Sequence, residues 1–95
     1  MALDHYSVVV NSTTPTILAR GAAGDAHTRV YISNGSGEDL FVGDETVSTT
    51  DGYLIPKQQS TTISYRQEFD LSANDVLYGI CLSPNTTTVR VIVTY

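Results

Sequence analysis

Cysteine is almost missing from this 95-residue chain: Cys81 stands alone, so no internal disulfide can brace the fold. Tryptophan is absent, and histidine occurs only at His5 and His27. Two histidines and one cysteine so far apart lack the spacing of a zinc site. Basic residues are also few. Lys57 is the only lysine, four arginines are scattered, and ten acidic residues set a formal net charge of −5. Without a basic stripe to neutralise phosphates, direct nucleic-acid binding is not expected. No apolar run approaches the roughly 20 residues of a membrane-spanning helix. The opening "MALDHYSVVV" has neither the basic nor the long apolar region of a secretory leader. The expectation is one soluble domain made in a cytoplasm, with no membrane contact. The Asn-x-Ser/Thr triplets at Asn11, Asn34 and Asn85 then reflect a composition rich in those residues.

Helical periodicity is missing too, since glycine, proline or β-branched runs interrupt every window longer than two turns. What remains is Thr, Val, Ile and Tyr in short alternating segments between turn signals, the pattern of a sandwich or barrel. "TRVYISN" puts Val30 and Ile32 on one face, with Arg29, Tyr31 and Ser33 on the other. "TTISY" puts Ile63 and Tyr65 inward. "VLYGICL" has Val76, Tyr78, Ile80 and Leu82 on one face, read as core, and Leu77 and Cys81 make its other face apolar. That strand is expected to be central and covered on both sides. "TVRVIVTY" sets Val89, Val91, Val93 and Tyr95 against Arg90, Ile92 and Thr94, and the loop "SPNTT" predicts an antiparallel hairpin with the preceding strand. The fold class is therefore all-β, a small antiparallel sandwich or barrel with an extended N-terminal arm. Residues 1–25 form the arm or an edge strand, with a linker from Gly21 to Ala26, and residues 26–95 form the β domain. The stretch Tyr6, Ser7, Val8, Val9, Val10 would be an aggregation hazard if left unpaired, so it needs a partner strand.

The segment "DLFVGDETVSTTDGYLIP" gathers four acids and two glycines between Asp39 and Pro56. Asp39, Asp44, Glu45 and Asp51 do not have the alternating spacing and closing bidentate Glu of a calcium loop. They read instead as turn residues: Gly43 free to take positive φ, Asp51-Gly52 at the tip of a hairpin, and Pro56 ending the strand. "GSG" at Gly35–Gly37 is too short for a phosphate loop and runs into Glu38 and Asp39. The pairs Asp4–His5 and Asp25–His27 hint at base chemistry, but no nucleophile motif accompanies them. Cys81 in an apolar strand reads as a small buried hydrophobe. No enzyme, metal or cofactor is expected. Tyr31, Tyr53 and Phe41 are candidates for a sugar-stacking row, although tyrosine in a small β-protein commonly packs with its hydroxyl at the rim.

From Arg29 to Tyr95, the order "RVYISN", "LFVG", "TVSTTDGYLIP", "ISY", "DVLYGICL", "TVRVIVTY" resembles small virion proteins of tailed bacteriophages, of the capsid decoration (cement) or head-fibre type. The resemblance implies a β-sandwich or barrel bound to the outside of a capsid, with the major capsid protein as partner and shell stabilisation as its task. It implies a homo-oligomer, for which a trimer suits the three-fold positions of such shells. Residues Tyr6 to Val10 would contact the capsid or an adjacent copy by β-strand addition. Two other classes stay open: a glycan- or host-surface-binding module on a head fibre or spike, and a small adaptor that binds one protein through a sheet edge.

Overall fold

The computed structural model describes residues 3–21, 28–58, 66–83 and 85–94. Eight strands occupy them: β1 (Leu3–Val10), β2 (Thr16–Arg20), β3 (Thr28–Asn34), β4 (Leu40–Gly43), β5 (Tyr53–Ile55), β6 (Arg66–Leu71), β7 (Val76–Cys81) and β8 (Thr87–Thr94). The expected strand around Ile63 and Tyr65, the linker from Ala22 to Ala26, His27 and Tyr95 lie outside the described residues.

All pairings are antiparallel and build two four-stranded sheets, ordered β1-β8-β3-β6 and β2-β7-β4-β5. The two sheets pack as a sandwich, which settles the choice left between sandwich and barrel. First pairs with last, second with seventh, third with sixth and fourth with fifth. The chain is thus one long hairpin folded over on itself, with its tip at β4–β5. Rolling that hairpin adds the pairs β3–β8 and β4–β7, and the result is the double-sheet jelly roll. This topology corrects one expectation. β7 and β8 do not form a hairpin through "SPNTT", because they lie in opposite sheets and the loop crosses between them. The N-terminal segment supplies an edge strand to each sheet, with β1 paired to β8 from Leu3↔Thr94 to Val10↔Thr87.

Period-two alternation fills the space between the sheets. Val30 and Ile32 from β3, Val89, Val91 and Val93 from β8, and Leu40 and Val42 from β4 are all buried in one core cluster. β7 is central, between β2 and β4, but its core face is the one expected to be secondary. Leu77, Gly79 and Cys81 point inward, whereas Tyr78 is half-buried on the outer face opposite Ile17 and Gly43. Gly79 is required by packing. A Cβ there would lie 2.9 Å from Leu18 Cδ1 and 3.1 Å from Leu40 Cδ1, so its absence lets two large side chains meet over the strand.

The tip of the hairpin also differs from expectation. Ser48 and Asp51 exchange backbone hydrogen bonds (3.0 and 3.2 Å) around Thr49-Thr50, so Asp51-Gly52 follow the tight turn rather than form it. Gly52 serves a close approach: its Cβ would stand 2.6 Å from Val47 Cγ2. Gly43 keeps an ordinary φ at the end of β4 and faces the same Val47. Val47 is the one apolar residue of that loop, and it is buried.

One buried polar residue joins the two sheets. Asn34, 2% exposed at the end of β3, donates from Nδ2 to the carbonyls of Glu38 (2.9 Å) and of Ile55 in β5 (3.0 Å). Its Oδ1 accepts from the Thr87 hydroxyl at the start of β8 (2.7 Å). Burial also makes this sequon an unsuitable glycan acceptor. A buried amide with every partner in place strengthens a fold, whereas a partner left behind costs about 1–3 kcal/mol. Asn34→Leu strands two carbonyls and a hydroxyl. The expected loss is about 3 kcal/mol or more, read by urea denaturation. Asn34→Asp is expected to be comparably damaging near neutral pH, because its carboxylate would face two carbonyl oxygens.

Candidate functional site: the β1 edge

The five residues Tyr6, Ser7, Val8, Val9 and Val10 all fall in β1, on the rim of the first sheet. Their partners in β8 are Val91, Arg90, Val89, Thr88 and Thr87. Because Val89, Val91 and Val93 point into the core, Asp4, Tyr6, Val8 and Val10 face inward, and Leu3, His5, Ser7 and Val9 face outward. Val10 is fully buried, while Leu3 and Val9 are each 62% exposed.

Tyr6 closes this side of the sandwich. Its hydroxyl donates to the Leu18 carbonyl of β2 across the open rim, at 2.5 Å. The carbonyl lies at a bulge, where the β2–β7 register slips between Ile17 and Ala19; such an irregularity interrupts the regular pairing of the strand. Burial, with a smaller contribution from the Asp4 charge, holds the Tyr6 hydroxyl above its usual value of 10.0. The opposite rim is closed in a related way. Tyr53 of β5 meets Phe69 of β6 edge to face, with ring centroids 6.1 Å apart, and Gln67 donates to the Tyr53 hydroxyl.

A sandwich of this topology has four edge strands, and three carry devices that discourage pairing with another chain. β2 has its bulge and ends at Arg20. β5 is three residues long and is followed by Pro56. β6 turns Glu68 and Asp70 outward, both ion-paired with Arg29 of β3 (3.2 and 3.4 Å); exposed pairs of this kind add little stability. β1 has no bulge, and its one carboxylate, Asp4, stands near its start on the inward side. The strand is eight residues long, its register with β8 is unbroken, and it contains no proline, lysine or arginine. Among the described residues no strand pairs with its outer side.

The other sequence candidates are dispersed. The Asp39 carboxylate accepts from the Lys57 backbone N–H (2.9 Å), and Asp44 accepts from the Thr46 N–H and hydroxyl (2.8 and 2.6 Å). Glu38 accepts from Asn85 (2.8 Å). Among the described residues no group of three or more His, Cys, Asp or Glu side chains converges. Asp4 and His5 are neighbours on an extended strand, so their side chains leave opposite faces. Gly35 and Gly37 let the "GSG" turn lie against β8 and the residue before it, since a Cβ on Gly37 would sit 2.2 Å from the Thr86 carbonyl oxygen. Cys81 is buried, with its thiol against the carbonyls of Val10 (3.5 Å) and Asn85 (3.4 Å). Burial, then the Glu38 charge, pushes that thiol up.

Tyr31, Tyr53 and Phe41 do not form a row. Tyr31 lies on the outer face of the first sheet beside Arg29, Tyr53 at the β5 rim, and Phe41 on the outer face of the second. Open clefts lie among the described residues. One, about 490 Å³, includes Asp44, Glu45, Asn74, Asp75 and Tyr78. Another, about 450 Å³, runs between the "GSG" turn, Gln58 and Arg90. Sequence reasoning missed β6, although "RQEFDL" alternates Gln67, Phe69 and Leu71 with charged residues. It also missed the junction at Asn34. No protein-family model, curated protein or solved structure matches the chain.

Two titrations check this geometry. Tyr6→Phe removes the bridge to Leu18 and is expected to cost about 1 kcal/mol near neutral pH, in urea unfolding. A raised folded-state value makes the hydroxyl's contribution complete below its unfolded value and lost as pH climbs through the folded one. The difference between wild type and variant should therefore shrink above pH 10.0. Asp44 shows the opposite sign. Hydrogen bonds from the Thr46 hydroxyl and then its N–H hold the carboxylate below 3.8. Asp44→Asn keeps an acceptor and removes the charge. Its stability deficit should hold above the unfolded carboxylate value and vanish as pH falls through the folded one, in acid unfolding curves.

Proposed function

We propose that the protein is a structural component of a tailed-bacteriophage virion, a decoration protein that binds the outer surface of the capsid and stabilises the shell. The observation that carries this reading is the asymmetry among the sheet edges: β1 is the least guarded, eight residues in unbroken register with Leu3 and Val9 exposed on its outward face. Such an edge suits a protein whose work is to be held among neighbours. The jelly-roll topology adds support, because viral capsid domains use it, although lectin domains and other functions use it as well. The likeness of the segments from Arg29 to Tyr95 to small phage virion proteins supplies the biological setting.

In this role the major capsid protein is the partner, the exterior of the capsid is the location, and no catalysis or cofactor is involved. Many weak contacts repeated over a symmetric shell add up, so each docked copy can be bound modestly while the assembly is reinforced strongly. A net charge of −5 keeps the free protein soluble before docking. The second reading, a glycan- or host-surface-binding module on a head fibre, draws on the same topology.

The test is the number of copies in purified particles of the encoding phage, measured against the major capsid protein. A near-stoichiometric ratio is expected, and full heads lacking the chain should release DNA at lower temperature than complete ones. A handful of copies per particle would transfer the assignment to a fibre or spike. Absence from particles would overturn the virion reading.

A further inference from the structure

We propose that the occupant of the β1 edge is the β1 edge of a second copy, so that two chains form a two-fold dimer with a continuous eight-stranded sheet. The inference rests on the reading of β1 as the contact edge and commits it to one partner. A two-fold contact is isologous and demands a strand complementary to its own reverse. β1 meets that demand in one register.

In an antiparallel pair, directly opposed residues share a face. For the two sandwiches to lie on the same side of a joined sheet, an outward residue must oppose an outward residue. Centring the axis on Tyr6 sets Leu3 opposite the partner's Val9 and His5 opposite the partner's Ser7 on the outer face. Tyr6 then faces its own copy on the inner side, and Asp4 faces the partner's Val8. Leu3 and Val9, the two most exposed large apolar side chains of the chain's described residues, cover each other twice, once at each end of the pair. Cross-strand apolar pairs of this kind are the unit from which sheets gain stability.

Charge agrees with this register. The two Asp4 carboxylates would be offset by four residues, roughly 13 Å along the strand at about 3.3 Å per residue. That separation exceeds the screening length of about 8 Å in physiological salt. Neighbouring registers do worse. Centring on His5 opposes two histidines and leaves Val9 beyond the end of the partner strand. Centring on Ser7 places Leu3 against the partner's Asn11 and leaves only His5 to face Val9. A two-fold contact closes at two copies, so this edge does not build the trimer that the sequence resemblance suggested.

The full chain is tested by sedimentation equilibrium over a range of concentrations, with Val9→Lys and Leu3→Lys alongside. Wild type is expected at twice its 10.3 kDa mass. The lysine variants are expected as monomers with unchanged circular dichroism and melting, since both side chains point away from the core. Register is read by cysteine pairing, and the buried native Cys81 does not take part. The double variant Leu3→Cys/Val9→Cys should form a disulfide-linked dimer on mild oxidation. Neither single variant should, because each cysteine would lie roughly 20 Å from its own copy at about 3.3 Å per residue.

A monomer at every concentration, a trimer, a dimer insensitive to Val9→Lys, or linkage by a single cysteine would each overturn the self-pairing. The two proposals fail separately. A strict monomer that is abundant in particles ends the self-pairing and leaves the virion role, whereas a β1-dependent dimer absent from particles does the reverse.

Discussion

The buried amide of Asn34 holds together the parts of this fold that hydrophobic packing alone would leave free to slide. It touches β5 in one sheet, Thr87 of β8 in the other, and the loop that carries the chain between them. Apolar side chains attract without direction, so a core of Val, Leu and Ile tolerates small shifts of one sheet over the other. An amide with two donated bonds and one accepted bond does not. In a small domain without a disulfide, this junction defines how the sheets face each other, and with it the position of every edge.

The rolled hairpin then decides what the edges are. Once first pairs with last and fourth with fifth, β1, β6, β2 and β5 must lie on the rims. Both open sides are closed by tyrosine: Tyr6 reaching the Leu18 carbonyl, and Tyr53 packed on Phe69. Each ring spans the gap between sheets and leaves its hydroxyl at the polar margin, which aliphatic residues cannot do. The rims are thus sealed by similar chemistry yet differ in their availability for pairing. Among the described residues, that difference is the feature on which the proposed contact rests.

The acidic run, which its spacing marks as turn residues and not as a calcium loop, is used locally in the fold. Asp39 caps the Lys57 backbone, Asp44 caps Thr46, and Asp51 completes a backbone bridge with Ser48. Asp44 accepts from the N–H two residues on and Asp39 from one across the loop, so the carboxylates are used separately around the hairpin tip.

The alternation of the chain by itself determined the fold class, most of the strands and most of the inward faces. Val30 and Ile32, Leu40 and Val42, and the three valines of β8 are where a period of two puts them, because each choice depends only on neighbours along the strand. β6 was legible in the same way, but its charges masked the alternation of Phe69 and Leu71. The tertiary structure alone decided which strands pair, which apolar face of β7 is the core, and which residues form the tight turn before β5. These depend on contacts far apart in sequence: Leu18 and Leu40 meeting over Gly79, Val47 pressed on Gly52, and Asn34 reaching Ile55. The stretch from Tyr6 to Val10 shows both sides of the division. Its need for a partner strand was plain from composition. That β8 takes one side of it and leaves the other open follows only from the roll of the whole chain.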